Sequence, residues 1–155
     1  MNNAFRTAED YELFLYSLPD HFPSIRRSTL TFVRLGASLA RIVGELFFDD
    51  DIRVVVRERF VYHRLPAMLD WYGYEVWWGN EKLYWYDPQP HPNDPELQST
   101  HPHHKHIPPH LKHHRIPAPG MSFDQPNLPL VIKEVERLAE ENVRPSTPSE
   151  TANLD

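Results

Sequence analysis

The chain has 155 residues, 40% of them apolar and 25% charged, with a formal net charge of −6 and no cysteine. That length and apolar share suffice for one domain with a buried core. The lack of cysteine excludes a disulfide framework and thiolate chemistry, and the negative charge argues against broad non-specific binding of nucleic acid.

In chain order, TAEDYELFLYSLP is the first expected helix. Thr7 is the cap candidate, Tyr11, Phe14, Leu15 and Leu18 repeat at helical spacing, and Pro19 is the expected stop. From Ser28 the period changes to two. STLTFVRL, LARIVGELFF and IRVVVRERFVY are expected strands, with DDD at 49–51 as a turn. In the third, Ile52, Val54, Val56, Phe60 and Tyr62 share one face, and Arg53, Arg57 and Arg59 the other. WYGYEVWWGNEKLYWYD predicts a hairpin around Gly79-Asn80. Its expected register pairs Trp78 with Glu81, Trp77 with Lys82, Val76 with Leu83, and Tyr74 with Trp85.

Pro88 to Pro129 holds 11 of the 16 prolines, so regular helix or a central strand is not expected there. A loop of this length in a compact domain is usually functional or disordered. NLPLVIKEVERLAEEN predicts a second helix capped by Asn127, with Leu128, Val131, Ile132, Val135 and Leu138 as its apolar stripe. The expectation is one α+β domain over 1–143: an antiparallel sheet of about five strands, an N-terminal and a C-terminal helix, and a long Pro/His-rich loop. Residues 144–155 are expected to form a disordered polar tail. No apolar run approaches the roughly 18 residues needed to span a bilayer, and the amino-terminal stretch has no leader pattern. A cytoplasmic protein without membrane association is the expectation.

Four features could carry chemistry; one is the aromatic hairpin, whose Trp77, Tyr84 and Tyr86 beside Lys82 could stack on bases or simply pack across strands. Glu58 falls on the apolar face of the best strand, where burial would suit it to acid or base work. It could equally turn to solvent at a bulge, or pair with Arg34 or Arg41. HPHHKHIPPHLKHH (101–114) holds seven of the ten histidines. It could bind a metal, supply acid/base groups, or be a solvated loop. No zinc-type spacing is present. Ahead of it, YDPQPH leaves the hairpin with Asp87 placed to orient a histidine or close a turn.

Together, YGYEVWW, LYWYDPQPH and HPHHKH resemble the TumE-type toxins of prokaryotic toxin–antitoxin systems. The shared elements fall on Tyr86, Asp87, Pro90 and His91, then on Pro102, His103, His104, Lys105 and His106, over roughly 30–138. The chain departs from the family in YGYE, where Glu75 stands at an expected histidine, and in a longer, more histidine-rich loop after Lys105. The resemblance implies a small toxin neutralised by a protein antitoxin, commonly one with a helix-turn-helix domain. By analogy of class it also implies RNA as substrate.

The expected mechanism is ribonuclease action without metal or other cofactor. His104 and His106 would form the acid/base pair, with His91 and Glu58 as further acid/base candidates and Lys105 as a phosphate contact. Arg57, Asp87, Tyr86 and His103 are the expected substrate contacts. The alternatives are a non-enzymatic partner-binding or regulatory protein with a histidine-rich docking loop, and a metal-binding domain.

Overall fold

The structure, a computed structural model, describes residues 3–142. The tail expected at 144–155 lies outside the described residues. Thr7 caps the first helix, α1 (Ala8–Tyr16), its hydroxyl accepting the Asp10 N–H at 3.0 Å and satisfying an open donor of the first turn. Pro19 does not stop this helix. α1 ends at Tyr16, and Pro19 lies in the first turn of a short second helix, α2 (Leu18–His21). A proline lacks an N–H that the first turn leaves unbonded anyway, so it starts a helix as readily as it ends one.

Eight antiparallel strands replace the expected five: β1 (Arg27–Ser28), β2 (Thr31–Arg34), β3 (Leu39–Phe47), β4 (Ile52–Val61), β5 (Met68–Trp78), β6 (Glu81–Asp87), β7 (His104–His106) and β8 (Arg115–Pro117). Their order is β1-β3-β4-β5-β6-β7-β8, and β2 also pairs with β3. STLTFVRL is divided between β1 and β2, because the chain kinks onto Gly44 of β3. A Cβ on Gly44 would lie 2.5 Å from the Thr29 carbonyl oxygen, and its φ of +143° is one that glycine alone adopts freely. β7 and β8 lie within the proline-rich segment. His-Lys-His contains no proline and can bond β6 on one side and β8 on the other. Pro117 falls at the end of β8, the sheet edge, where a missing N–H is tolerated.

The hairpin turns at Gly79-Asn80 and keeps the Trp78–Glu81 and Trp77–Lys82 pairs. Beyond them the register shifts by one, so Val76 faces Tyr84 and Tyr74 faces Tyr86, with Leu83 as the extra residue. A slip of one residue exchanges the two faces of a strand. Tyr84 and Tyr86 therefore enter the core, and Trp85 goes to the opposite face.

α1 and the last helix, α3 (Leu128–Asn142), cover one face of the sheet. Tyr11, Leu15, Val131, Ile132 and Val135 pack there with Ile42, Val54, Val56, Phe60, Tyr74 and Val76. The other face carries Arg41, Arg57, Arg59 and Trp71, all exposed, and it positions the site. Among the described residues, no helix is long and apolar enough to cross a membrane.

Candidate active site on the open face of the sheet

Alternation along β7 turns His104 and His106 to the open face and Lys105 to the helix side. The register sets His104 opposite Asp87 and His106 opposite Trp85. The three polar side chains then meet: His104 Nε2 lies 3.1 Å from Asp87 Oδ1, His106 Nε2 lies 3.1 Å from Asp87 Oδ2, and the two Nε2 atoms are 3.1 Å apart. The outer nitrogens are also fixed. His104 Nδ1 is 3.1 Å from the Pro102 carbonyl, and His106 Nδ1 is 2.7 Å from the Leu111 carbonyl. Asp87 accepts the Gln89 N–H at 2.8 Å and the Trp85 indole N–H at 2.9 Å. Burial raises the Asp87 carboxyl, while its contacts to His104, His106 and the Gln89 N–H lower it further, leaving it well below the usual carboxylate range. Both histidines are buried. The Trp85 ring stacks on His106 with centroids 3.9 Å apart.

His91, on the loop after β6, sets its ring edge-on to His104 with centroids 4.9 Å apart. It is half-buried. Burial, then the nearby charge of Arg115, lowers its imidazole below the ordinary value. Arg115 stands opposite His106 in the β7–β8 register. From Asp87 a shallow cavity of ≈ 100 Å³ runs between Arg57, Trp71, Gly73, Glu75 and Trp85. A second, of ≈ 310 Å³, shares Arg57 and Trp71 and continues to Arg41 and Arg59. Arg59 pairs with Asp70 and Arg53 with Glu45. No ion pair among the described residues occupies Arg41 or Arg57.

The family's PH…PHHKH elements thus converge in space through the β6–β7 pairing. A sequence model of the family described as Toxin TumE matches residues 14–139. The chain belongs to the TumE toxin family. That family is one of toxins of toxin–antitoxin systems, which implies an antitoxin partner. No curated protein and no solved structure matches the chain.

Within this TumE fold the expected site residues divide by sheet face. His91, His104, His106, Asp87 and Arg57 lie together on the open face. Glu58, Lys105, Tyr86 and His103 lie on the helix side. Lys105 Nζ is 3.2 Å from Glu134 Oε2 on α3 and 4.1 Å from the Tyr84 ring centroid. The Tyr86 hydroxyl donates to the same carboxylate at 2.8 Å. His103 Nδ1 meets the Tyr72 hydroxyl, and its ring packs on Phe123; burial, then His104, lowers its imidazole.

Glu58 is 1% exposed. It is not turned to solvent and pairs with neither Arg34 nor Arg41. Its oxygens accept from the Tyr11 hydroxyl at 2.5 Å and from the Tyr74 hydroxyl, which in turn accepts from Asn127 Nδ2 at 3.2 Å. The Asn127 side chain also donates to the Ser122 carbonyl and accepts the Ser122 N–H, so it clamps the approach to α3.

Sequence reasoning left Arg115, Trp71 and Trp85 unassigned. Arg115 directly follows the histidine-rich segment and belongs to no motif of its own. An unbulged register pairs Trp85 with Tyr74, whereas the shift at Leu83 sets it opposite Glu75 on the open face. Trp71 is identified by its neighbour: a Cβ on Gly73 would lie 3.0 Å from its ring, so the glycine lets the indole lie along the cavity.

Proposed function

We propose that this TumE-family toxin acts by cleaving RNA on the open face of its sheet, at the end formed by Asp87, His91, His104 and His106. The observation that carries the reading is the convergence of these groups beside Arg57, a cation without an acidic partner among the described residues, on a face that also presents Arg41 and Trp71. Arg57 and Arg115 contact the scissile phosphate, where their charge stabilises the phosphoryl oxygens as negative charge builds up. Trp71 offers a base a stacking surface, a contact that tolerates any sequence. Both rings of the buried histidine pair already have their two nitrogens engaged. Proton exchange with the ribose 2′-hydroxyl or the leaving 5′-oxygen therefore falls to the more accessible His91. A helix-turn-helix protein would serve as the antitoxin, as the family resemblance suggests.

The test is cleavage of single-stranded RNA by purified protein, alongside growth arrest on expression. His91→Ala should slow cleavage by about 10²–10⁴-fold, and Arg57→Ala should weaken substrate binding and relieve growth arrest. Growth arrest without RNA cleavage would instead support a toxin that acts by binding a partner. Arrest unchanged by His91→Ala, Arg57→Ala and Asp87→Asn would remove the activity from this face.

A further inference from the structure

We infer that Asp87, His104 and His106 bind a divalent transition-metal ion, with Zn²⁺ the simplest probe. The inference departs from the metal-free chemistry expected from sequence, and it rests on how the donors are aimed. Each imidazole faces a backbone carbonyl through Nδ1, at 3.1 Å for His104 and 2.7 Å for His106. A carbonyl only accepts, so Nδ1 carries the proton and the Nε2 lone pairs point inward. They point at each other and at a carboxylate, all separated by 3.1 Å. The Trp85 and Gln89 N–H groups donate to that carboxylate from outside. Converging lone pairs repel one another unless a proton or a metal ion lies among them, and a single proton bridges only two of the three groups. Protonating both rings would set two imidazolium charges side by side with little solvent between. A metal ion satisfies all three donors at once.

The spacing fits an ion. Zn–N and Zn–O distances of about 2.0–2.2 Å put neighbouring donors roughly 2.9–3.5 Å apart for angles between octahedral and tetrahedral. The Nδ1–carbonyl contacts and the anchored carboxylate are the outer supports that hold metal ligands in one tautomer and orientation. Three protein ligands leave further positions of the ion to water or substrate, the arrangement of catalytic rather than structural zinc sites. Asp87 is the ligand that also lines the ≈ 100 Å³ cavity, so that side is where a phosphoryl oxygen or water would reach the ion. This last role rests on the RNA-cleavage reading; the binding itself does not.

The experiment measures metal on full-length protein made without an affinity tag. The protein is stripped with EDTA and titrated with Zn²⁺ by calorimetry, and bound metal is counted by mass spectrometry. The expected result is one ion per chain and a rise in melting temperature on loading. Asp87→Asn and His106→Gln, checked for folding by circular dichroism, should bind more than about 100-fold more weakly, beyond the roughly 10–100-fold that outer supports cost. The triple variant His110→Ala, His113→Ala, His114→Ala should still bind one ion. No binding, equal binding in Asp87→Asn and His106→Gln, or loss of binding in the triple variant would overturn the site. Undiminished RNA cleavage by stripped protein would overturn the ion's part in catalysis and leave the RNA reading standing. A tight single ion in a protein that cleaves no RNA would leave the metal site standing and overturn the RNA reading, and with it the ion's part in catalysis.

Discussion

Glu58 shows at the residue scale what one buried carboxylate costs and holds. Burial raises its carboxyl to about 7, against the lowering effect of the Tyr11 and Tyr74 hydroxyls. The unfolded chain releases this proton near the ordinary 4.5, so between those values the folded protein binds more protons than the unfolded one. Glu58 therefore stabilises least above pH 7, and stability falls as pH rises from about 4.5 through 7. The difference amounts to about 3 kcal/mol. Glu58→Gln keeps a carbonyl acceptor and cannot titrate. Thermal melts followed by circular dichroism should show the variant gaining on the wild type steadily from pH 5 to pH 8. A constant difference across that range would mean that Glu58 titrates alike in both states. Glu58→Ala should instead lower stability at every pH, because two buried tyrosine hydroxyls lose their acceptor.

The single-residue irregularities of the strands decide the site at the scale of elements. The bulge at Leu83 sends Tyr84 and Tyr86 to the core and Trp85 to the open face, where its indole holds Asp87 and its ring supports His106. Trp85→Leu should disturb the Asp87–His106 arrangement while leaving the helix-side core intact. The expected outcome is a loss of RNA cleavage larger than the loss of stability, measured on the same preparation. Gly44 acts on the opposite edge. Gly44→Ala forces both an unfavourable φ and a contact with the Thr29 backbone, and should cost about 3 kcal/mol in denaturant unfolding. Since β1 and β2 are far from β7 in the strand order, cleavage per folded molecule should be unchanged.

At the scale of the whole molecule, the two sheet faces have separate tasks. One is sealed by α1 and α3 and contains the Glu58 and Glu134 clusters. The other gathers Arg41, Arg57 and Trp71 on a chain whose net charge is −6. Local positive charge on an acidic protein can select a polyanion without general affinity for nucleic acid. RNA affinity should fall with salt. If Arg41 and Arg57 each contact one phosphate, replacing either by alanine should flatten the slope of log K against log salt by about 0.7 for a single strand, as measured by fluorescence anisotropy at several salt concentrations. Lys105→Met, on the helix side, should leave that slope unchanged.

The sequence by itself determined what local pattern can carry. The cap at Thr7, the alternation of β4 and the apolar stripe of α3 are all set by neighbours within a few residues, whereas the burial of Glu58 needed the Tyr11 and Tyr74 hydroxyls that the fold brings to it. The family was also legible, in PH and PHHKH. The tertiary structure alone decided which of those residues meet. Sheet pairing brings Asp87 to His104 across 17 positions of chain, which no local spacing encodes. It also sends Lys105 to the opposite face from the histidines on either side. The Leu83 bulge escapes a period-two reading because inserting one residue costs little locally and yet reverses every side chain after it. β7 and β8 were hidden by the surrounding prolines, since three residues suffice for a strand when a neighbour supplies the hydrogen bonds.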